Sequence, residues 1–290
     1  MVAAIKAYMN PSIDNPLISV VITTKNRISL LPRAVKSVLE QNWPSLELIV
    51  VDDGSDIPAT LETDDPRVRI VRNDVSVGLP EARNIGFRAA NGELLCMLDD
   101  DDWYLPGKLE RQAQYLREHP EIDLVFSRVV VRDAAGRERR YIGDDHVHTP
   151  ELNLQAFNVI HPSAVMFRRQ VLEKVQFEPR IRKYEDTLFF NLCCFTVQTA
   201  YLPIDVSIWM QDGRPDQLTR VFYDRNFINF KIVCEGLRDV LQQHPRARLQ
   251  YYGRLAFQAL RCGRVGEFIT AACSALNLNP KKPRTPRERN

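Results

Sequence analysis

The chain has 290 residues, 44% of them hydrophobic, enough for a sizeable core in one elaborated domain or two closely joined ones. A formal net charge of +2 creates no strong global field, so nucleic acid is not an implied partner. Residues 1–16 lack the apolar core of a signal peptide, no stretch is apolar enough to span a bilayer, and the 6 cysteines show no metal-ligand spacing; reduced, mostly buried thiols in a cytoplasmic protein are expected.

The N-terminal half alternates strand and helix. Residues 18–22 predict a strand, followed by the polar loop Thr23-Thr24-Lys25-Asn26-Arg27. From Ser29, Leu31, Ala34, Val35, Val38 and Leu39 recur at helical spacing, and Pro32 is tolerable in a first turn. A second strand over 46–51 ends in Asp52-Asp53-Gly54-Ser55, and a third over 68–71 leads to a loop ending at Gly78. A helix over 80–90 then returns the chain to the apolar run 94–98, which closes on four consecutive aspartates, Asp99 to Asp102. This order predicts an α/β fold with a doubly wound, mostly parallel sheet. Its polar strand ends lie along one edge, where open sheets bind ligands. Four like charges in a row repel one another, and Mg²⁺ or Mn²⁺ is the obvious compensation because both prefer carboxylate oxygen. A solvated acidic turn before the helix near Pro106 is the competing reading of this segment alone.

The second half is mixed. A strand is predicted over 123–131, a turn at Ala134-Ala135-Gly136, and a charged mobile loop over the crevice at 137–158. A strand over 163–167 precedes a helix from Arg169, and an apolar, buried helix follows Glu185-Asp186. Residues 218–241 and 248–276 read as helices. His146-x-His148 beside Asp144-Asp145 reads as an exposed loop rather than a zinc site. The tail 279–290 carries Lys281, Lys282, Arg284, Arg287 and Arg289 and is expected to be disordered. It either contacts an anionic membrane peripherally or merely solubilises the end of the chain.

Several segments in this order carry a family resemblance: 20–27 (VVITTKNR), 37–41 (SVLEQ), 47–55 (ELIVVDDGS), 78–86 (GLPEARNIG), 92–103 (GELLCMLDDDDW), 106–109 (PGKL) and 184–186 (YED). Over about residues 17–215 the chain resembles family 2 glycosyltransferases. The resemblance implies a GT-A fold and inverting sugar transfer from a nucleotide diphosphate sugar to an acceptor. It divides 17–215 into a nucleotide-binding half (17–105) and an acceptor half (106–215). Residues 1–16 are then an N-terminal extension, and 216–278 a C-terminal helical region. Thr23 stands where the family usually has proline, and Lys25 where it has an aromatic residue. Gln176 replaces a glycine before Phe177, and the apolar stretch 187–192 lacks an arginine often found there. The later departures concern the acceptor half, so acceptor identity is not carried over.

The resemblance also assigns roles. Thr23, Thr24, Asn26, Arg27, Asp52, Asp53, Arg83, Asp99 and Asp100 are expected at the nucleotide, and Asp101 with Asp99 at a divalent Mn²⁺ or Mg²⁺ ion. Asp99 would face the ribose or a metal-bound water. Asp100 is more readily read as solvated, and Asp102 as capping the next helix or orienting Asp101. A carboxylate of Asp52 or Asp53 would accept the N3–H of uracil or thymine, the alternative being an Asx-turn with Gly54-Ser55. Arg83 would reach the base or a phosphate, against a surface ion pair, and Asn84 would fix a local turn. Glu185 and Asp186 form the expected catalytic pair, with Asp186 as general base; ordinary acidic residues at a helix start are the bland reading. Trp103, His161 and Glu185 are expected near the acceptor, although His161 reads equally as a structural histidine. The expected donor is a UDP-sugar, with dTDP-sugar possible, and the acceptor a surface glycan or lipid-linked molecule. A non-catalytic nucleotide-sugar-binding or scaffold protein and a nucleotidyltransferase are the alternatives. The loop 23–27 has no glycine to cradle a triphosphate, which disfavours the second. Oligomeric state is left open.

Overall fold

The computed structural model describes residues 15–141, 148–213 and 223–277. The basic tail, Asp144-Asp145 and His146 lie outside the described residues. Strands β1 (Ile18–Thr24), β2 (Leu46–Asp52), β3 (Val68–Arg72) and β4 (Leu94–Asp99) pair in parallel. Strands β5 (Trp103–Tyr104), β6 (Leu124–Asp133), β7 (Glu138–Arg140), β8 (Val165–Arg168) and β9 (Thr199–Gln211) extend the sheet. The order is β3-β2-β1-β4-β8-β6-β9-β5, with β7 on β6. Strand β8 runs antiparallel to both β4 and β6, and β9 runs parallel to β6.

Side-chain alternation sorts β1, β2 and β4 between two cores. Val21, Ile49, Val51, Leu95 and Met97 face helix α2 (Leu79–Ala89) and the phenylalanines Phe87, Phe167, Phe177 and Phe189. Ile18, Val20, Ile22, Leu48, Val50, Cys96 and Leu98 face α1 (Leu31–Leu39) and α3 (Lys108–Glu118). Both faces are therefore covered, as a parallel sheet requires. Gly86 lets α2 lie close to the sheet, because a Cβ there would overlap Val21.

Register aligns the functional edge: Thr24 lies opposite Asp52, and Thr23 opposite Asp99. A β-strand backbone thus delivers the loop after β1, the aspartates after β2 and the aspartate turn after β4 to one line.

The second half departs from expectation in several places. Residues 137–158 are not one loop: β7 forms a hairpin with β6, and α4 (Pro150–Gln155) is capped by the Thr149 side chain. His161-Pro162 sets a 3₁₀ turn over Pro162–Ala164, so β8 starts only at Val165. The helix after Arg169 is short, α5 (Val171–Lys174). Strand β9, 13 residues long, was not anticipated; Pro203 and Asp205 interrupt its apolar alternation.

The buried helix α6 (Glu185–Thr196) is present. The C-terminal helices are α7 (Tyr223–Gly236), α8 (Arg238–Gln243), α9 (Pro245–Arg261) and α10 (Val265–Ala275). The run expected as one helix over 248–276 breaks at Gly263, whose φ of 69° is left-handed. These helices share a core with Ile181 and Leu188, so they pack directly behind the start of α6. All 6 cysteines are free thiols, four of them buried.

Candidate active site

The loops after β1 and β2 are stitched together. Asn26, at φ 56°, donates its backbone N–H to Ser55 Oγ (2.9 Å), and its side-chain oxygen accepts from Asp56 N–H (2.8 Å). Thr24 Oγ1 donates to Asp100 (2.8 Å), and Arg27 reaches Asp100 (2.9 Å) and Asp101 (3.3 Å). Asp100 is thus buried rather than solvated. Burial raises its carboxyl to about 6, with Arg27 opposing and Asp101 reinforcing the shift. Thr23 is buried at the end of β1, beside this group.

Asp52 and Asp53 are committed to protein donors. Asp52 accepts from the backbone N–H groups of Ser55 and Ala59 (2.9 Å each) and pairs with Arg72. Asp53 accepts from Asn73 Nδ2 (2.9 Å), Ser76 Oγ (2.7 Å), Val77 N (2.8 Å) and Gly78 N (2.9 Å). Burial pushes both carboxyls up, and these hydrogen bonds outweigh it, holding both below the usual range. Asp53 therefore anchors the loop that leads into α2. Its four contacts occupy its acceptor capacity without a ligand.

Arg83, projecting from α2, joins two distant segments. One guanidinium nitrogen donates to Asp99 (2.8 Å) and another to Glu185 (3.0 Å), and the group lies over the Phe177 ring at 5.2 Å. It is only 2% exposed, so the surface ion-pair reading fails. Asn84 makes a local contact, donating to Glu81 (3.1 Å), and a long-range one as well. It exchanges two hydrogen bonds with the backbone of Phe177, 93 residues away (2.9 and 3.1 Å).

Asp102 is 1% exposed and does not cap α3, whose N-cap is Gly107. It accepts from Ser163 Oγ (2.6 Å) and from Met210 N (3.1 Å). Burial raises its carboxyl well above the ordinary value, and the charges of Asp99 and Asp101 add to this. His161 Nδ1 lies 3.9 Å from Asp102 and accepts from Ser163 N (3.3 Å). Burial lowers the imidazole to about 4, so it is neutral near pH 7. Asp99, Asp102 and His161 bring one donor atom each within 4.8 Å of one another. The fold therefore gathers a group that shares Asp99 with the expected metal pair but has Asp102 and His161 where the sequence pointed to Asp101.

Glu185 and Asp186 open α6. Tyr184 before them is left-handed (φ 70°), a conformation that costs a non-glycine residue about 1–3 kcal/mol. Its ring is held edge-on by Phe230 (5.6 Å) of α7, and Arg254 of α9 lies over it at 5.7 Å. The C-terminal helices thus fix the backbone that aims the acidic pair. Burial raises Asp186 to about 7, with the Glu185 charge adding and Arg83 opposing. Trp103 sits between the guanidinium groups of Arg33 (3.9 Å) and Arg132 (4.9 Å) at the end of the aspartate turn.

Most of the expected residues thus meet on one edge; Asp52 and Asp53 lie there too, facing inward to the protein. Two residues that sequence reasoning missed also belong to this edge. Trp209 packs on His161 (4.7 Å) and Tyr141 packs on Trp209 (5.3 Å).

Comparison with known proteins agrees with this architecture. An uncharacterized glycosyltransferase of Methanocaldococcus jannaschii is 27% identical over 190 residues, 62% of this chain and 65% of that one. The GalNAc(5)-diNAcBac-PP-undecaprenol beta-1,3-glucosyltransferase of Campylobacter jejuni is 30% identical over 186 residues, 61% of this chain and 60% of that one. The chain thus spans less than two thirds of the length of either relative. Residues 1–349 of S. aureus TarS, crystallised with UDP-GlcNAc, share the fold with a TM-score of 0.62 at 15% identity, over 91% of this chain and 93% of that one. The model of the family described as "Glycosyl transferase family 2" matches residues 19–176. With more than half of its length matched, the chain belongs to glycosyl transferase family 2.

Proposed function

We propose that the chain transfers a sugar from a UDP-sugar to a hydroxyl group of a lipid-linked or surface glycan, with inversion at the anomeric carbon; dTDP-sugar is the alternative donor. The observation that carries this reading is the bridge from Asp99 through Arg83 to Glu185, which sets the aspartate turn and the acidic pair beside one guanidinium. A donor diphosphate held near Asp99 and an acceptor hydroxyl held near Asp186 would then be neighbours. Two comparisons support the ligand classes: TarS was crystallised with UDP and with UDP-GlcNAc, and the C. jejuni relative is named for a PP-undecaprenol substrate. The family assignment gives no support to a nucleotidyltransferase.

The reaction needs little covalent work from the protein. The acceptor oxygen attacks the anomeric carbon from the face opposite the diphosphate. Asp186 accepts the hydroxyl proton, the new glycosidic C–O bond forms, and the bond to the diphosphate breaks with its electron pair on the leaving nucleotide. Glu185, held by Arg83, orients the acceptor beside Asp186. Thr24 and Arg27 hold the aspartate turn through Asp100 and Asp101.

The donor set fits a divalent ion of the Mg²⁺ or Mn²⁺ type. Clustered carboxylates with one neutral imidazole are suitable ligands, and the raised Asp102 carboxyl reflects like charges of Asp99 and Asp101 that a cation would offset. Asp99 and Asp101 would hold the ion, with Asp102 orienting the turn through Ser163 and Met210. The grouping of Asp99, Asp102 and His161 favours a second ligand set, with Asp102 and His161 replacing Asp101. When bound, the ion would neutralise the diphosphate and stabilise charge on the departing nucleotide.

The test is a panel of UDP- and dTDP-sugars, with and without Mn²⁺, scored for released nucleoside diphosphate and for binding by calorimetry. Metal-dependent turnover of a member of the panel is expected. Neither turnover nor binding of any of them overturns the reading.

A further inference from the structure

We infer that Tyr141 and Trp209 form the subsite on which a pyranose ring of the acceptor stacks. This inference rests on the transfer reading above. The two rings lie 5.3 Å apart at 87°, so they make a right-angled corner. The corner is continuous with the candidate metal cluster: Trp209 packs on His161 (4.7 Å), and His161 lies 3.9 Å from Asp102. The backbone reinforces the link, because Met210, next to Trp209, donates its N–H to Asp102. At the outer end Tyr141 is 39% exposed; among the described residues it and Phe257 of α9 are the exposed large rings. Asp186 is close enough for its charge to act on the Tyr141 hydroxyl.

This placement selects the ligand. A phosphate would be drawn to Arg83 or Arg27, whereas the corner offers two aromatic faces, with the charges of Asp186 and Arg139 opposing one another at the Tyr141 hydroxyl. One face of a pyranose presents C–H groups, and a flat π-surface binds them while the hydroxyls stay wet. Large, rigid aromatic side chains bind in this way at low entropic cost. An acceptor sugar on the corner would have its hydroxyls turned toward Asp186. The corner has no local sequence signature, because Trp209 of β9 and His161 before β8 meet once both strands pair with β6.

Two measurements on the full chain test the inference. Calorimetry with UDP and Mn²⁺ reports the donor side. Saturation-transfer NMR with methyl glycosides of glucose, galactose, mannose and N-acetylglucosamine, in the presence of UDP and Mn²⁺, reports the corner. Tyr141→Ala and Trp209→Ala should each weaken glycoside binding about tenfold, the scale of one aromatic contact, while UDP affinity stays within about twofold. Trp209→Phe, which keeps a ring in the strand, should retain most of the glycoside signal. Glycoside binding that is absent in the wild type, or equal in wild type and both alanine variants, overturns the subsite. So does a parallel loss of UDP affinity in Tyr141→Ala, which would put the corner on the donor. Failure of the wild type to bind UDP at all overturns the transfer reading itself, and the subsite with it.

Discussion

The aspartates after β2 and those after β4 share a sheet edge but have opposite fates. Asp52 and Asp53 are buried and yet held ionised, because backbone amides and side-chain donors converge on them. Asp100 and Asp102 lie deeper among protein groups and have fewer donors; Asp101 presses on both and Asp99 on Asp102, and both are pushed up. Asp186 behaves like the second group. Depth of burial, donor count and neighbouring charge together separate the two regions. The first is a finished structural joint. In the second, Arg27 and Arg83 are the cations seen beside carboxyls that repel further negative charge, and it is there that a cation and a reacting hydroxyl are expected.

Four experiments break or sharpen this contrast. The largest effect is expected for Asp186→Asn, which keeps shape and removes the base. Transfer should fall about 10²–10⁴-fold, with UDP binding and melting temperature close to wild type. Near-normal transfer moves the base role to Glu185 or elsewhere.

The second experiment separates the two metal sets. Chelation should abolish metal-dependent UDP binding, and Asp101→Asn should reproduce most of that loss. Asp102→Asn should cost about 10–100-fold in metal affinity, the usual effect of an orienting partner. A larger loss from Asp102→Asn than from Asp101→Asn, measured by Mn²⁺ titration, favours the set with His161.

The third targets the finished joint. Asp53→Ala leaves the amides of Val77 and Gly78 without their acceptor and should cost about 1–3 kcal/mol of stability, read by urea unfolding. The sign of its pH dependence is fixed by the lowered carboxyl. Its stabilisation is present above the unfolded value near 3.8 and is lost as pH falls through the folded one. The variant should therefore lose less stability than wild type on acidification. An unchanged acid limb removes Asp53 from this role.

The smallest effect is a pH profile. With Asp186 near 7, kcat/KM should rise with pH and level off above about 7, falling at most about tenfold per unit below. Stability runs the other way for this group: its contribution is present in acid and lost as pH rises from 3.8 toward about 7. A profile identical in wild type and Asp186→Asn would assign the titration to another group.

Much of the first half was legible because its signals are local. Alternation in β1, β2 and β4 told both faces of the sheet, and the same spacing placed Asp52 and Asp99 at strand ends. The resemblance placed Arg83 at the nucleotide and Glu185 with Asp186 as a catalytic pair; that Arg83 joins Asp99 to Glu185 comes from the structure. What the sequence concealed depends on contacts across long separations. Asp102 receives its hydrogen bond from Met210, 108 residues on, and Arg83 meets Glu185 across 102 residues. Asp100 looked solvated because four acids in a row read as a surface turn, yet Thr24 and Arg27 from another loop enclose it. Strand β9 went unread because Pro203 and Asp205 break its alternation, and Trp209 and Tyr141 were lost with it.

Arg83 has one further consequence. A single guanidinium serves Asp99 on the donor side and Glu185 on the acceptor side, so neither carboxylate can change its charge environment alone. On the proposed reading a cation held at Asp99 would compete with Arg83 there and leave the guanidinium freer for Glu185, changing the field at Asp186. Such coupling is reciprocal: whatever factor donor and metal exert on acceptor affinity, the acceptor must exert on theirs. On the proposed reading the two substrates would be thermodynamically linked through one buried side chain, and occupancy of one site would be information available to the other.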